Sequence, residues 1–213
     1  MISKFDYIEK NPKEFCSVKR FLFHGSNLGK VEDGTKLVCD SKRTKQNLEI
    51  VRLYSDDLKK GEFINICSKY CEPNIFGNKT LISLYLNNER LNKEIINFLT
   101  ANNLGDLTII IKSDQLSSKS SIRSFFEKDK KAFIIACYEE TENEKITLIS
   151  KYLENENIHF SLSEIKFLSL NLPNKRLEIK SEVEKIIIIY KSFGKHKSIQ
   201  DMLAYISEAA ENN

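Results

Sequence analysis

Gly25, Gly29 and Lys30, in the stretch "FLFHGSNLGKV" (21–31), come nearest to residues that could do chemistry. An apolar run followed by two glycines and a lysine is the order used to bind a nucleoside triphosphate. In a G-x-x-x-x-G-K-[ST] loop the backbone amides form a nest around the phosphates. The lysine reaches the terminal phosphates and the hydroxyl ligates magnesium. Here only three residues separate the glycines, one fewer than that nest needs, and Val31 stands where the hydroxyl belongs. The acidic partner that holds the metal from a buried strand end is displaced as well. Asp114 lies two residues beyond Lys112, past the expected strand tip, and no glutamate follows to activate water. The sequence therefore predicts a strand-to-helix turn at Gly25–Lys30, a degenerate loop not expected to bind nucleotide. A weak attraction for an anion at the helix N-terminus stays open.

Other chemistries lack their residues. His24, His159 and His196 sit in unrelated contexts without a Ser/His or Cys/His signature, and no G-x-G-x-x-G follows a strand. Cys67 and Cys71 share a helix face but have no third ligand nearby, so they read as buried small hydrophobes rather than a metal site. No catalytic residue, metal or cofactor is expected. The remaining informative stretch is "CEPNIFGNKTLISLYL" (71–86), where Ile75 and Phe76 stand side by side between a helix and a strand. Two readings stay open: Phe76 folds back onto the core, or the pair is an exposed apolar anchor for a partner's pocket.

These residues need a frame to hold them. Short β-branched runs at 19–23, 48–53, 80–86, 106–112 and 132–138 have too little alternation for a half-exposed sheet and read as parallel strands buried on both faces. Helical patterns lie between them. One starts at Asp56, capped by Ser55, with Leu58, Phe63, Ile64 and Cys67 on one side. A second carries Leu91, Ile95, Phe98 and Leu99, and a third spans "KSSIRSFFEKD" (119–129). Strand–helix alternation predicts an α/β domain over residues 1–139. The charged "EETENEK" (139–145) reads as a strand-free hinge to a small all-helical domain over 140–213. Capping boxes at Ser161–Glu164 and Ser198–Asp201 mark helix starts there, and Ile186–Ile189 reads as a fully buried helix turn.

The 213 residues are 41% hydrophobic, and Lys+Arg 33 against Asp+Glu 30 leave a net charge of +3. That balance does not announce a nucleic-acid binder, and the densest basic cluster, Arg123, Lys128, Lys130 and Lys131, reads as a solvated helix end. Five cysteines without framework spacing, no signal-peptide pattern and no membrane-length apolar run predict a cytoplasmic protein with no membrane association.

The order of these features resembles the delta subunit of bacterial DNA polymerase III, a clamp-loader subunit. "FLFHGSNLGKV" is similar to its degenerate first turn, "VRLYSDDL" to its second strand and "NIFGNKTLISL" to its clamp-contact corner. "SDQLSSKSSIRSFFEKDKKAFIIACYEE", "LPNKRLEIKSEVEKIIIIY" and "SIQDMLAYISEA" follow in the family's order. The resemblance runs from about Lys19 to Ala210. It implies an AAA+-like P-loop domain of about five parallel strands flanked by helices, followed by a helical lid, without ATPase activity of its own. It implies that Ile75 and Phe76 enter a pocket of the beta sliding clamp and favour its open form for loading onto primed DNA. The family's helical collar, through which loader subunits assemble, is not expected in this chain, which puts assembly with the other clamp-loader subunits in question. The alternatives are a divergent P-loop NTPase or small-molecule kinase using Lys30 and Asp114, and an α/β DNA-binding protein.

Overall fold

The computed structural model describes residues 2, 3, 5–43, 48–71, 79–101, 103–193 and 198–204. The chain divides into two compact units, Met1–Tyr138 and Glu139–Asn213.

The first unit is built on a parallel sheet. Its strands are β1 (Ile2–Ser3), β2 (Arg20–His24), β3 (Leu48–Tyr54), β4 (Lys79–Leu86), β5 (Leu107–Ser113) and β6 (Ala132–Ala136). Their spatial order is β1-β6-β2-β5-β4-β3, with every pairing parallel. Five of these strands are the ones the sequence predicts; the sixth is the two-residue β1 at one edge. The helices are α1 (Phe5–Lys10), α2 (Leu28–Lys42), α3 (Glu62–Cys71), α4 (Asn92–Ala101) and α5 (Ser121–Lys128).

The strand alternation sorts the core into two layers, since neighbouring side chains on a strand point to opposite faces. Phe21, Phe23, Leu81, Ile110, Ile135 and Cys137 pack with Phe5, Ile8, Val31 and Val38 of α1 and α2. Leu22, Ile82, Leu84, Ile109, Ile111 and Ile134 pack on the other side with Phe63, Cys67, Ile95, Phe98, Leu99, Ile122 and Phe126 of α3, α4 and α5. Covered on both faces, β2, β4 and β5 are almost continuously buried. The outer strand β3 departs from the sequence expectation. It has one neighbour, β4, and mixes half-buried with exposed residues, none of them fully buried.

Two further expectations change here. Ser55 does not cap a helix at Asp56: residues 55–57 form a turn, and α3 starts at Glu62. The Ser55 hydroxyl instead accepts the Asn87 amide at 3.0 Å, tying the end of β3 to the segment after β4. Ile64 is 37% exposed, so the buried face of α3 is Phe63 and Cys67, while Leu58 joins the core from the preceding loop.

The second unit packs α6 (Glu142–Asn155), α7 (Leu162–Asn171), α8 (Arg176–Phe193) and a helical segment over 199–204 around their own core. Leu148, Ile149, Leu153, Leu168, Ile179, Val183, Ile186 and Met202 form its centre. Capping boxes close at Ser161–Glu164 and at Ser198–Asp201. The stretch read as a hinge holds a third. Thr141 caps Glu144 reciprocally, so α6 already begins at Glu142. Ile186–Ile189 is helical as expected, but Ile188 points outward with 64% exposure.

Candidate functional site

The turn after β2 lies at the carboxyl ends of the central strands, between β5 and β6. From β2 the chain passes to the far edge at β3, whereas from β5 it passes to β6 on the opposite side. In open parallel sheets such a reversal opens the crevice where ligands bind. Gly25, Gly29 and Lys30 therefore meet at the position a nucleotide loop would occupy.

Several of the loop's own donors are engaged within the chain. The Gly25 amide donates to Ser113 O at 3.3 Å and the Asn27 amide to Cys137 O at 3.0 Å. Asn27 is the N-cap of α2: its side-chain oxygen accepts from the Lys30 amide at 3.3 Å, and its Nδ2 donates to Tyr138 O at 3.2 Å. Gly25 has φ +147°, and a Cβ there would stand 2.1 Å from Cys137 O. The backbone after β6 thus lies directly against the turn, and only glycine admits that approach.

The lysine is turned inward too. Lys30 is 4% exposed, and its ammonium sits 5.4 Å from the centroid of the Phe5 ring. A cation over an aromatic face is stabilised by about 0.5–2 kcal/mol. Val31, in place of a metal-binding hydroxyl, is fully buried in the core. Asp114 follows the end of β5 and accepts from the Tyr85 hydroxyl at 2.6 Å. Burial of Tyr85, with that hydrogen bond second, pushes the Tyr85 hydroxyl up to about 12. The neighbouring Lys112 pairs with Glu32 of α2 at 2.7 Å.

His24 ends β2, next to Gly25. It is 2% exposed and packs edge-on against Tyr138 at 6.2 Å, and its Nδ1 has no hydrogen-bond partner among the described residues. Burial first, then the Arg123 charge, lowers its pKa to about 4, so the ring is neutral near pH 7. In the basic cluster on and after α5, Arg123 pairs with Glu127 at 2.8 Å, while Asp129, which lies among these residues, pairs with Arg20 of β2 at 2.7 Å.

Ile75 and Phe76 lie outside the described residues, between α3 and β4. Sequence reading overlooked Asn27, whose place just before an apolar-periodic helix is an N-cap signal, and the partners Cys137 and Tyr138, which no local pattern reveals.

Geometry of this kind defines a class first: the first unit has an AAA+-like P-loop fold, and a helical unit follows it. The solved structures it resembles share that architecture. Domain III of the Thermotoga maritima replication initiation protein DnaA superposes with TM-score 0.57 at 13% identity, covering 96% of this chain and 90% of that one. The Thermotoga maritima RuvB Holliday junction branch migration motor gives 0.60 at 11%, over 96% and 66%. More particularly, the Bacillus subtilis DNA clamp loader delta protein (YqeN) gives 0.60 at 10% identity, covering 94% of this chain and 61% of that one. In sequence, the chain is 29% identical over 115 residues to "Probable DNA polymerase III subunit delta" of Rickettsia prowazekii (strain Madrid E), spanning 54% of this chain and 35% of that protein. The match thus takes in about a third of the curated relative's length. No family model matches. The resemblance to DNA polymerase III delta subunits carried by the sequence motifs is supported by the names of both a sequence relative and a structural neighbour. No helix among the described residues is long and apolar enough to cross a membrane.

Proposed function

We propose that the chain acts as a delta-type subunit of a bacterial clamp loader in DNA replication, binding the beta sliding clamp without hydrolysing ATP itself. One observation carries the reading. An AAA+-like sheet is kept, while the turn that would cradle phosphate commits Gly25, Asn27 and Lys30 to contacts within the fold. A fold retained while its nucleotide loop is closed fits a binding module better than an NTPase. The relative's name supplies the choice of module.

In this reading the first unit meets the clamp through Ile75 and Phe76, and the clamp prefers its open ring when docked, so binding alone shifts the ring toward loading on primed DNA. The second unit serves as the lid. Work in the cytoplasm and association with other loader subunits follow from the same reading.

The test is surface plasmon resonance with the cognate sliding clamp. Binding is expected in the wild type, and Phe76→Ala weakens it at least ~30-fold, as truncating a buried anchor costs about 2 kcal/mol or more. No binding by the wild type sinks the reading; equal binding by the variant removes the Ile75–Phe76 contact. Calorimetry with Mg-ATP is expected to be silent, and micromolar binding abolished by Lys30→Ala would establish a P-loop NTPase instead.

A further inference from the structure

The sheet of the first unit has two edges, and they are finished differently. One ends on β1, a strand of two residues. The other ends on β3, seven residues from Leu48 to Tyr54 paired along their whole length with β4 alone. Proteins blunt an open edge by shortening the strand, bulging it, or placing proline or lysine on it. The first device is present at β1. None is present in "LEIVRLY", whose register with β4 is unbroken.

Strand parity fixes which backbone groups lie open. The Ser55 amide donates to Tyr85 O at 2.9 Å, so the amides of Val51 and Leu53 face β4 as well. The amides and carbonyls of Ile50 and Arg52 face the other way, where no strand pairs with them among the described residues. The side chains also suit an inner strand. Leu48 and Ile50 pack on the α2 layer, Val51 and Leu53 on the α3–α5 layer, yet all four stay half-buried. Arg52 is exposed and has no ion pair among the described residues, and Tyr54 is 53% exposed beside the Tyr85 ring.

We propose that β3 is a docking edge, which accepts an extended segment of a partner protein as a further strand with a carboxylate of that segment against Arg52. Backbone pairing with Ile50 and Arg52 supplies affinity, and the alternating side chains supply selectivity. The size of the edge selects this occupant over a second copy of the chain. Its seven residues span about 23 Å. A contact one strand deep along that length covers on the order of several hundred Å², below the roughly 1,200 Å² of a stable interface. Such an area suits a peptide held transiently. Charge selects an acidic segment: Arg52 is the strand's one cation, while Glu49 already accepts from the Tyr70 hydroxyl at 3.2 Å. Clamp binding through Ile75 and Phe76 neither requires nor excludes this contact.

Residue-resolved amide hydrogen exchange on the full chain, with the peptide Thr-Val-Glu-Val-Thr-Val in millimolar excess, tests the proposal. In the dilute free chain the Val51 and Leu53 amides exchange slowly and those of Ile50 and Arg52 fast. The peptide is expected to slow Ile50 and Arg52 at least ~threefold and to leave Val51, Leu53 and Ile110 unchanged. Arg52→Glu, an exposed substitution, is expected to weaken binding about fivefold, and a peptide carrying Lys in place of Glu to restore it. No slowing by the peptide removes the docking edge, and equal binding by Arg52→Glu removes the acidic partner. Ile50 and Arg52 amides already slow in the dilute free chain show an edge covered by the chain itself. Slowing that grows with chain concentration alone makes a second copy the occupant; either result overturns the proposal.

Discussion

Substituting Gly25 by alanine tests whether the turn after β2 is closed by its neighbour. The added Cβ would lie 2.1 Å from Cys137 O and 2.5 Å from its carbonyl carbon, both backbone atoms, where real Cβ atoms essentially never come under 3.0 Å. Retreat is blocked, since Cys137 is bonded through its amide to His24 O at 2.7 Å and through its carbonyl to the Asn27 amide at 3.0 Å. Overpacking of this sort costs about 1–3 kcal/mol. The φ of +147° adds backbone strain of about 1–3 kcal/mol. Gly61 separates the two contributions: its φ is +82°, but a Cβ there meets nothing within 4 Å. Gly61→Ala should therefore carry the strain without the clash. Urea unfolding followed by circular dichroism is expected to place Gly25→Ala about 2–6 kcal/mol below wild type. It should also fall at least ~1 kcal/mol below Gly61→Ala. If Gly25→Ala is no worse than Gly61→Ala, the Cys137 carbonyl does not hold the turn shut. The turn after β2 is then not closed to phosphate by this contact.

His24 gives the first unit a pH dependence. Its folded pKa of about 4 lies below the ordinary 6.5, so the unfolded chain takes up the proton first. The stability it contributes is complete above pH 6.5 and is lost as pH falls toward 4. Urea midpoints measured from pH 7 to pH 4 should show a slope that His24→Asn flattens. In the second unit, Arg176→Met leaves the buried Glu140 carboxylate without its guanidinium, a loss of about 3–5 kcal/mol by thermal melting. The double variant Arg176→Met/Glu140→Leu is expected to recover most of it; a double variant as unstable as the single one would contradict that account.

Much of the frame was legible because its signals are local. The runs "RFLFH", "TLISLYL" and "LTIIIKS" are apolar on both parities, and only strands covered on two faces need that. Ser161–Glu164 marked a helix start because a capping box lies within four residues of chain. The errors came where distant partners decide. Ser55 has the composition of a cap, but the Asn87 amide, 32 residues on, claims its hydroxyl. Leu48–Tyr54 has the β-branched content of an inner strand, yet its place at the sheet edge depends on strand order, which no local pattern carries. The Thr141–Glu144 box was visible in principle and was masked by the density of charge around it. At the candidate turn, the short glycine spacing and Val31 were readable directly. The closing contacts from Cys137 and Tyr138, 110 and more residues away, were not.

The placement of β2 also sets a schedule for synthesis. Arg20 to His24 pair with Ile109–Ser113 on one side and Ala132–Ala136 on the other. Nothing nearer in sequence completes the strand's ladder. A ribosome making about 5–20 residues per second leaves on the order of 10 s between the emergence of β2 and that of β5, its first neighbour. During that interval β3 and β4 have each other to pair with. Phe21, Leu22 and Phe23 have no neighbouring strand, and they present three large apolar side chains on an unpaired strand. The central strand of the finished sheet is thus the segment of the nascent chain most in need of a chaperone.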